Sequence, residues 1–351
     1  MNETTFDVFV HGTMFLDLVM TGLAGPPTPG TEIFTSGMGF CPGGIANMAV
    51  AASRLGLSTC LSAAFGDDLY ADFCWRTLAE GEGIDLSRSR RLPGWPCPVT
   101  VSMAYAGDRA MVTHMRETPL AEDELVGTPP PAHAAIVYLC GEPPRWRDFA
   151  RRQGTLIFAD VGWDASEQWS PAVLEQLSGC HAFLPNEVEA MAYTGTADPL
   201  AALHRLADLV PVVAVTSGAN GSRAIDATTG EEAWVPAVPV TAHDATGAGD
   251  VFDTAFTLGT LRGWPLAQRL AFANLCAALS VQHVGGSLAA PGWGDIADWW
   301  ADVRSRAACG EPLAGELTSR YGFLPDVLPD GPRCAVPRAS TTLARNSNTT
   351  F

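Results

Sequence analysis

A chain of 351 residues that is 47% hydrophobic and 17% charged can bury a large core, which excludes a disordered or fibrous polypeptide. Its formal charge is −17, and all 21 basic residues are arginine, since the sequence contains no lysine. This balance argues against nucleic acid as a partner, which needs a concentrated basic surface. It also excludes chemistry that runs through a lysine, including Schiff bases and the Walker A loop.

No uninterrupted run of about 18 apolar residues occurs, so no membrane span is expected. The N-terminus has no basic segment before an apolar block, and the expected compartment is the cytoplasm. Nine cysteines (41, 60, 74, 97, 140, 180, 276, 309 and 334) occur without a C-x-x-C pair. They suggest neither a zinc site nor a disulfide framework, and they read as buried reduced thiols.

In chain order, residues 6–10 read as a strand ending at His11-Gly12. A Gly/Pro-rich stretch (22–30) and a short strand at 32–35 follow, and a helix begins near Gly44, with Ile45, Ala49, Ala52 and Leu55 at helical spacing. Residues 58–64 form the next strand and 68–81 the next helix. Residues 98–104 and 110–114 form a hairpin around Ala106-Gly107-Asp108. Beyond residue 135, strands (135–139, 155–159, 182–184, 212–215) alternate with helices (145–153, 171–177, 187–193, 199–207). A second hairpin (222–226, 232–235) follows, and helices dominate from 249 to about 308. Such alternation predicts an α/β fold, a mainly parallel sheet covered by helices on both faces. The early hairpin-like segments do not fit that sheet and predict a small β element beside it. Residues 339–351 read as a disordered tail, and the sequence leaves open whether 310–338 packs on the domain.

The sharpest chemical signal is Asp244-Ala-Thr-Gly-Ala-Gly-Asp250. Gly247, Ala248 and Gly249 let backbone N–H groups converge at a helix start, which binds anions. Asp250 then lies in the first turn beside the bound anion. A carboxylate is a poor phosphate ligand but a good base for an attacking hydroxyl. The plainer reading of the same residues is a glycine-rich loop capped by Asp250.

This segment resembles the second signature of the ribokinase-like (PfkB) sugar kinases, D-T-x-G-A-G-D. Gly43-Gly-Ile-Ala-Asn47, with Leu55-Gly56 downstream, resembles the first. The resemblance runs from about residue 7 to 306. It implies a kinase domain over residues 1–310 with a β lid at about 13–40 and 95–117, then an extension over 311–351. It further implies that Asp17, Gly43, Gly44 and Asn47 hold substrate, joined by Glu142, and that Asn186 and Glu189 organise Mg²⁺ through water around the phosphates of ATP. Thr216, Gly218, Gly221 and Asn274 would meet the nucleotide, and Asp244 belongs to a monovalent-cation site found in part of the family, so potassium activation is an expectation. A homodimer through the lid is implied as well.

Two departures stand out. Ala245 replaces the usual threonine, and the lid around Arg116-Glu-Thr lacks a small Gly-Ala pair. With no lysine, fixed positive charge at the site must come from an arginine, and the sequence does not choose among Arg109, Arg116 and Arg223. Few basic residues in the lid favour a neutral sugar or keto-sugar acid over a sugar phosphate. A nucleoside, with Trp95 or Tyr105 stacking on the base, is an alternative, as is a catalytically silent sugar-binding regulator. A dinucleotide-dependent oxidoreductase is disfavoured because His11-Gly-Thr-Met-Phe-Leu16 is not G-x-G-x-x-G.

Overall fold

Within the strand Phe6–His11 (β1), Val8 and Val10 face one core while Phe9 faces another. The computed structural model describes residues 5–105, 108–162, 164, 167–330 and 336–339. The strands that follow β1 are Met14–Thr21 (β2), Gly37–Gly44 (β3), Thr59–Ser62 (β4), Ala64–Phe65 (β5), Arg90–Arg91 (β6) and Val99–Tyr105 (β7). After them come Asp108–His114 (β8), Ala132–Tyr138 (β9), Leu156–Asp160 (β10), Ala182–Phe183 (β11), Val212–Thr216 (β12), Ser222–Asp226 (β13) and Glu231–Val235 (β14).

Eight strands form the main sheet in the order β14-β13-β12-β11-β10-β9-β1-β4. Pairing is parallel from β12 across to β4, and β13 and β14 add an antiparallel edge. Successive strand side chains point to opposite faces, so burial on both sides requires a cover on both. Ala134 and Ile136 of β9 enter one core and Ala135 and Val137 the other; Val212 and Ala214 of β12 are split in the same way from Val213 and Val215. Helices supply both covers, as the alternation of elements in the sequence requires. Among the described residues no helix is long and apolar enough to cross a membrane.

The second sheet, over the residues expected to form a lid and termed the lid, has the order β3-β2-β7-β8, with β2 and β7 parallel and the other pairs antiparallel. The turn expected at 106–107 lies outside the described residues. The strand expected at 32–35 is not formed; the chain there is irregular and the strand is β3. Its glycines look like a loop in sequence, but β3 pairs residue for residue with β2, from Thr21 with Gly37 to Met14 with Gly44. Partner contacts outweigh local propensity here.

Cys41, Cys60, Cys74, Cys97, Cys180 and Cys276 are buried, but Cys140 and Cys309 are exposed, against expectation. Cys140 lies just past the end of β9, and Cys309 caps the helix Trp293–Ala308, both where the chain leaves the core. Cys334 lies outside the described residues, as do residues 340–351 of the expected tail; Ala339, its first residue, is described and packs near Gly285 and Gly39.

Beyond residue 310 the chain forms the helices Pro312–Arg320 and Leu324–Val327. Ala314, Leu317, Tyr321 and Leu324 join the main core, and Tyr321 Oη donates to the Ala271 carbonyl at 3.1 Å. The segment is therefore built into the body of the fold. Tyr321→Ala should cost about 3–5 kcal/mol of unfolding free energy, as large buried aromatics do, and a denaturant titration measures it.

Candidate active site

Gly247 is the N-cap of the helix Ala248–Leu261 and adopts φ +75°, which glycine reaches without strain. A Cβ there would stand 3.1 Å from the Asn47 amide. Before the helix, Asp244 accepts from the Thr246 N–H at 2.9 Å and the Gly285 N–H at 3.0 Å, so its side chain ties two loops together. Ala248, Gly249 and Asp250 form the first turn, whose N–H groups have no helical carbonyl to meet and favour an anion.

Asp250 is gripped from two sides. Asn47 Nδ2 donates to Oδ2 at 2.7 Å, and Tyr138 Oη donates to Oδ1. Asn47 stands on the helix Ala46–Arg54 directly after β3, and Tyr138 is the last residue of β9. Asp17, on β2, is buried beside the paired glycines. A Cβ on Gly43 would lie 2.0 Å from the Asp17 carboxylate, and one on Gly44, at φ +58°, would lie 2.5 Å from the Thr13 carbonyl. The lid also reaches the anion-binding turn, with Ser102 Oγ of β7 at 3.5 Å from Thr246 Oγ1.

The carboxylates strain against one another. Burial pushes Asp17 up to about 7, with the charges of Asp250 and Asp244 adding to the rise and Arg109 opposing it. Burial also pushes Asp250 up, to about 6, while the bonds from Tyr138 and Asn47 and the charge of Arg109 hold it down. Arg109 of β8 is thus the arginine felt by both acids. Arg223 instead lies over the Trp234 ring at 5.5 Å, and Arg116 is exposed past the end of β8.

On the other flank, Asn186 and Glu189 form a reciprocal cap on the helix Glu187–Thr194. Asn186 Oδ1 accepts from the Glu189 N–H, and Glu189 Oε2 accepts from the Asn186 N–H, both at 3.0 Å. Burial pushes Glu189 up to about 7; the Asn186 bonds lower it and the Asp250 charge raises it. Thr216 ends β12 and bridges to Asn186. Gly218 and Gly221 both take positive φ in the following turn, and a Cβ on Gly221 would lie 2.1 Å from the Val235 carbonyl.

Two expected contacts are placed differently. Asn274 is buried, accepting from Ser222 Oγ and donating to the Val235 carbonyl, each at 3.0 Å. Its amide braces the antiparallel edge of the sheet instead of facing a nucleotide, because helix Leu266–Ser280 packs directly on β13 and β14. Glu142 is exposed on the rim beyond β9.

Three residues escaped the sequence reading. Tyr138 gave no signal, since a tyrosine ending a buried strand is ordinary packing. Asp253, one turn along from Asp250, and Asp160, at the end of β10, are buried; burial first, then the charges of Glu189 and Asp250 on Asp160 and those of Asp160 and Asp250 on Asp253, hold both carboxyls well above the usual range. The i, i+3 spacing of Asp250 and Asp253 was the available clue.

This fold is that of the ribokinases. The Arabidopsis thaliana ribokinase, solved with ribose and ATP, superposes with a TM-score of 0.69 at 23% identity, covering 84% of this chain and 98% of its own. A putative ribokinase II from E. coli, solved with ATP and Mg²⁺, gives 0.69 at 20% identity, covering 83% and 98%. The chain belongs to the pfkB family of carbohydrate kinases, which it matches over residues 8–292. It is 30% identical to a fructokinase of Klebsiella pneumoniae over 72% of this chain and 89% of that one. With a nucleoside kinase of Methanothermobacter thermautotrophicus it shares 29% identity over 84% and 92%. The protein is a kinase of the sugar and nucleoside class.

Proposed function

We propose that the protein transfers the γ-phosphoryl group of ATP to a hydroxyl of a neutral sugar or keto-sugar acid, with Asp250 as the general base. The observation that carries this reading is the position of Asp250 in the first turn of an anion-binding helix, held by Asn47 and Tyr138. The hydroxyl oxygen attacks the γ-phosphorus, the bond to the β–γ bridging oxygen breaks, ADP leaves and the hydroxyl proton passes to Asp250. In this reading the N–H groups of the N-cap Gly247 and of Gly249 in the first turn face the transferred group, beside Ala248, whose own N–H meets the Ala245 carbonyl at 3.3 Å. Thr216, Gly218 and Gly221 line the nucleotide side.

Mg²⁺ fits the crowd of carboxylates formed by Glu189, Asp250, Asp160 and Asp253, whose mutual repulsion a divalent cation relieves. Among the described residues no three acids, histidines or cysteines are arranged to chelate a metal directly. Glu189 and Asn186 would therefore hold the ion through water. Bound there, it neutralises charge on the phosphates. Asp244 and the loop 281–285 are where a monovalent cation would be placed in this reading.

Asp17 accepts hydroxyls of the substrate, beside Gly43, Gly44 and Asn47, with Glu142 at the rim. Asp17, Asp244 and Asp250 make the site acidic, and Arg109 is the cation that bears on it. A phosphorylated sugar would be repelled, while a polyol or one carboxylate against Arg109 suits it. The nucleoside alternative loses one of its stacking residues. Trp95 is buried with Leu92 and Leu125, and its Nε1 donates to the Glu117 carbonyl at 3.1 Å. The lid carries exposed Met111 and Val112, which support a homodimer through that sheet. Val112→Asp should then shift the species seen by sedimentation velocity to the monomer; an unchanged coefficient removes the proposed contact.

ADP release from Mg-ATP should appear with one class among ribose, fructose, 2-keto-3-deoxygluconate, fructose phosphates and nucleosides. Asp250→Asn should lose about 10²–10⁴-fold in kcat; equal turnover by the variant removes Asp250 as the base. The pH profile is a second check. Asp250 and Asp17 ionise near 6 and 7, so kcat/KM should climb through that range and level above it. Tyr138→Phe removes a bond that favours the ionised carboxylate, so the acid limb should move to higher pH.

A further inference from the structure

Past the segment matched to the family, the chain returns to the active site. Residues 336–339 lie against the loop 281–285 and the short helix Gly286–Ala289. Arg338 Nη1 donates to the carbonyls of Ala289 and Ala290, each at 3.2 Å, and reaches that of Leu288 at 3.5 Å; Nη2 pairs with Asp295 Oδ1 at 2.7 Å. Arg54 also donates to this end of the helix. Its Nη1 donates to the Leu288 and Ala290 carbonyls at 3.1 and 2.6 Å, and its Nη2 to the Pro337 carbonyl at 2.6 Å. Two arginines thus satisfy the final carbonyls of one four-residue helix, groups that otherwise lack donors.

That helix is in direct contact with the catalytic turn. Gly285 N–H donates to Asp244 at 3.0 Å, and Ser287 Oγ donates to the Pro42 carbonyl just before Gly43. A Cβ on Gly286 would lie 3.2 Å from Asn47 Oδ1 and 3.5 Å from Thr246. Ala339 closes the other side: a Cβ on Gly285 would stand 2.4 Å from its methyl, and one on Gly39 of the lid 3.1 Å. A continuous packed path therefore runs from Arg338 through residues 285–290 to Asp244, Thr246 and Asn47, and from Asn47 to Asp250.

We infer that residues 336–339 form a strap that fixes the anion-binding turn, and that Arg338 is a positioning residue for phosphoryl transfer. It touches neither substrate nor reacting atoms. Only arginine suits the place, since its rigid fork of donors serves several carbonyls and a carboxylate together, whereas a lysine ammonium is a single point. Burial and the charge of Arg54 make the site costly for a cation, with Asp295 opposing, so the arrangement opposes a real penalty.

The kinetic arm of the test rests on the proposed kinase reading, and the exchange arm does not. Full-length wild type, Arg338→Ala and Arg338→Lys are compared by hydrogen exchange, thermal unfolding and turnover. In Arg338→Ala, amides in peptides covering 244–250 and 281–290 should exchange faster while those covering 212–226 stay unchanged. The value of kcat should drop about tenfold or more, as for a small misplacement of a reacting group, with KM for the sugar little altered. Arg338→Lys, which keeps one ion pair, should lie between, and it carries the comparison if the alanine variant does not fold. Faster exchange confined to 286–290, with 244–250 as in wild type, overturns the inference. So does a uniform rise with a lowered Tm, which marks a stabilising role alone. A wild type silent toward every acceptor would count against the kinase reading, and exchange at 244–250 would still decide the strap.

Discussion

The Asp250 carboxylate, gripped by Asn47 and Tyr138, is the constraint on which the rest of the structure depends. The acid and its two partners come from three places far apart in the chain: the start of the helix Ala248–Leu261, the helix after β3 and the end of β9. Two donors on one carboxylate, the buried Asn47 and the half-buried Tyr138, fix both the rotamer and the position of the helix that carries it. The parallel sheet delivers Tyr138 at the C-terminal end of its strand, the edge where open α/β sheets present their sites. The lid then needs only to reach the same point from above, which it does through Asp17 and Ser102.

Electrostatically the site is costly. Asp17, Asp250, Glu189, Asp160 and Asp253 are each held above their ordinary ionisation range by burial, and neighbouring carboxylates add to the rise at all of them but Asp250. The unfolded chain carries none of this repulsion, so the fold is less stable near neutral pH than a neutral site would leave it. The core on both sheet faces and the aromatic packing around Tyr321 offset that cost. A site whose acids prefer partners of opposite charge is prepared for a polyphosphate and its cation.

The residues legible from sequence were those whose chemistry is local. The two signatures were legible through their resemblance to the family, and Gly247, Ala248 and Gly249 could be read because a turn with converging N–H groups demands small residues in a row. The alternation of strands and helices disclosed the parallel sheet for the same reason, since each strand's pattern records its own two faces. Tyr138 and Asp160 stayed hidden because what matters about them is the neighbour that tertiary packing supplies. For Asn274 the resemblance implies a nucleotide contact and the residue alone a buried packing role, and the antiparallel edge of the sheet takes up its amide. The ring of Trp95 closes a small cluster with Leu92 and Leu125, the packing role that is the ordinary one for such a residue. Arg338 ends a stretch whose packing the sequence leaves open, and it carries no signal there because its carbonyl partners leave no mark in the side-chain code.

The contact between Gly43 and Asp17 also bears on how such a site can change over generations. The carboxylate occupies the volume that any side chain at position 43 would need, so the two positions form one unit. A larger residue at 43 is admissible only after the acid at 17 has been shortened or lost, and losing the acid abandons the group proposed to hold substrate hydroxyls. Each single step away from this pair passes through a poorer protein. Altered substrate preference is therefore more accessible through the lid strands β7 and β8, whose outer residues can vary one at a time.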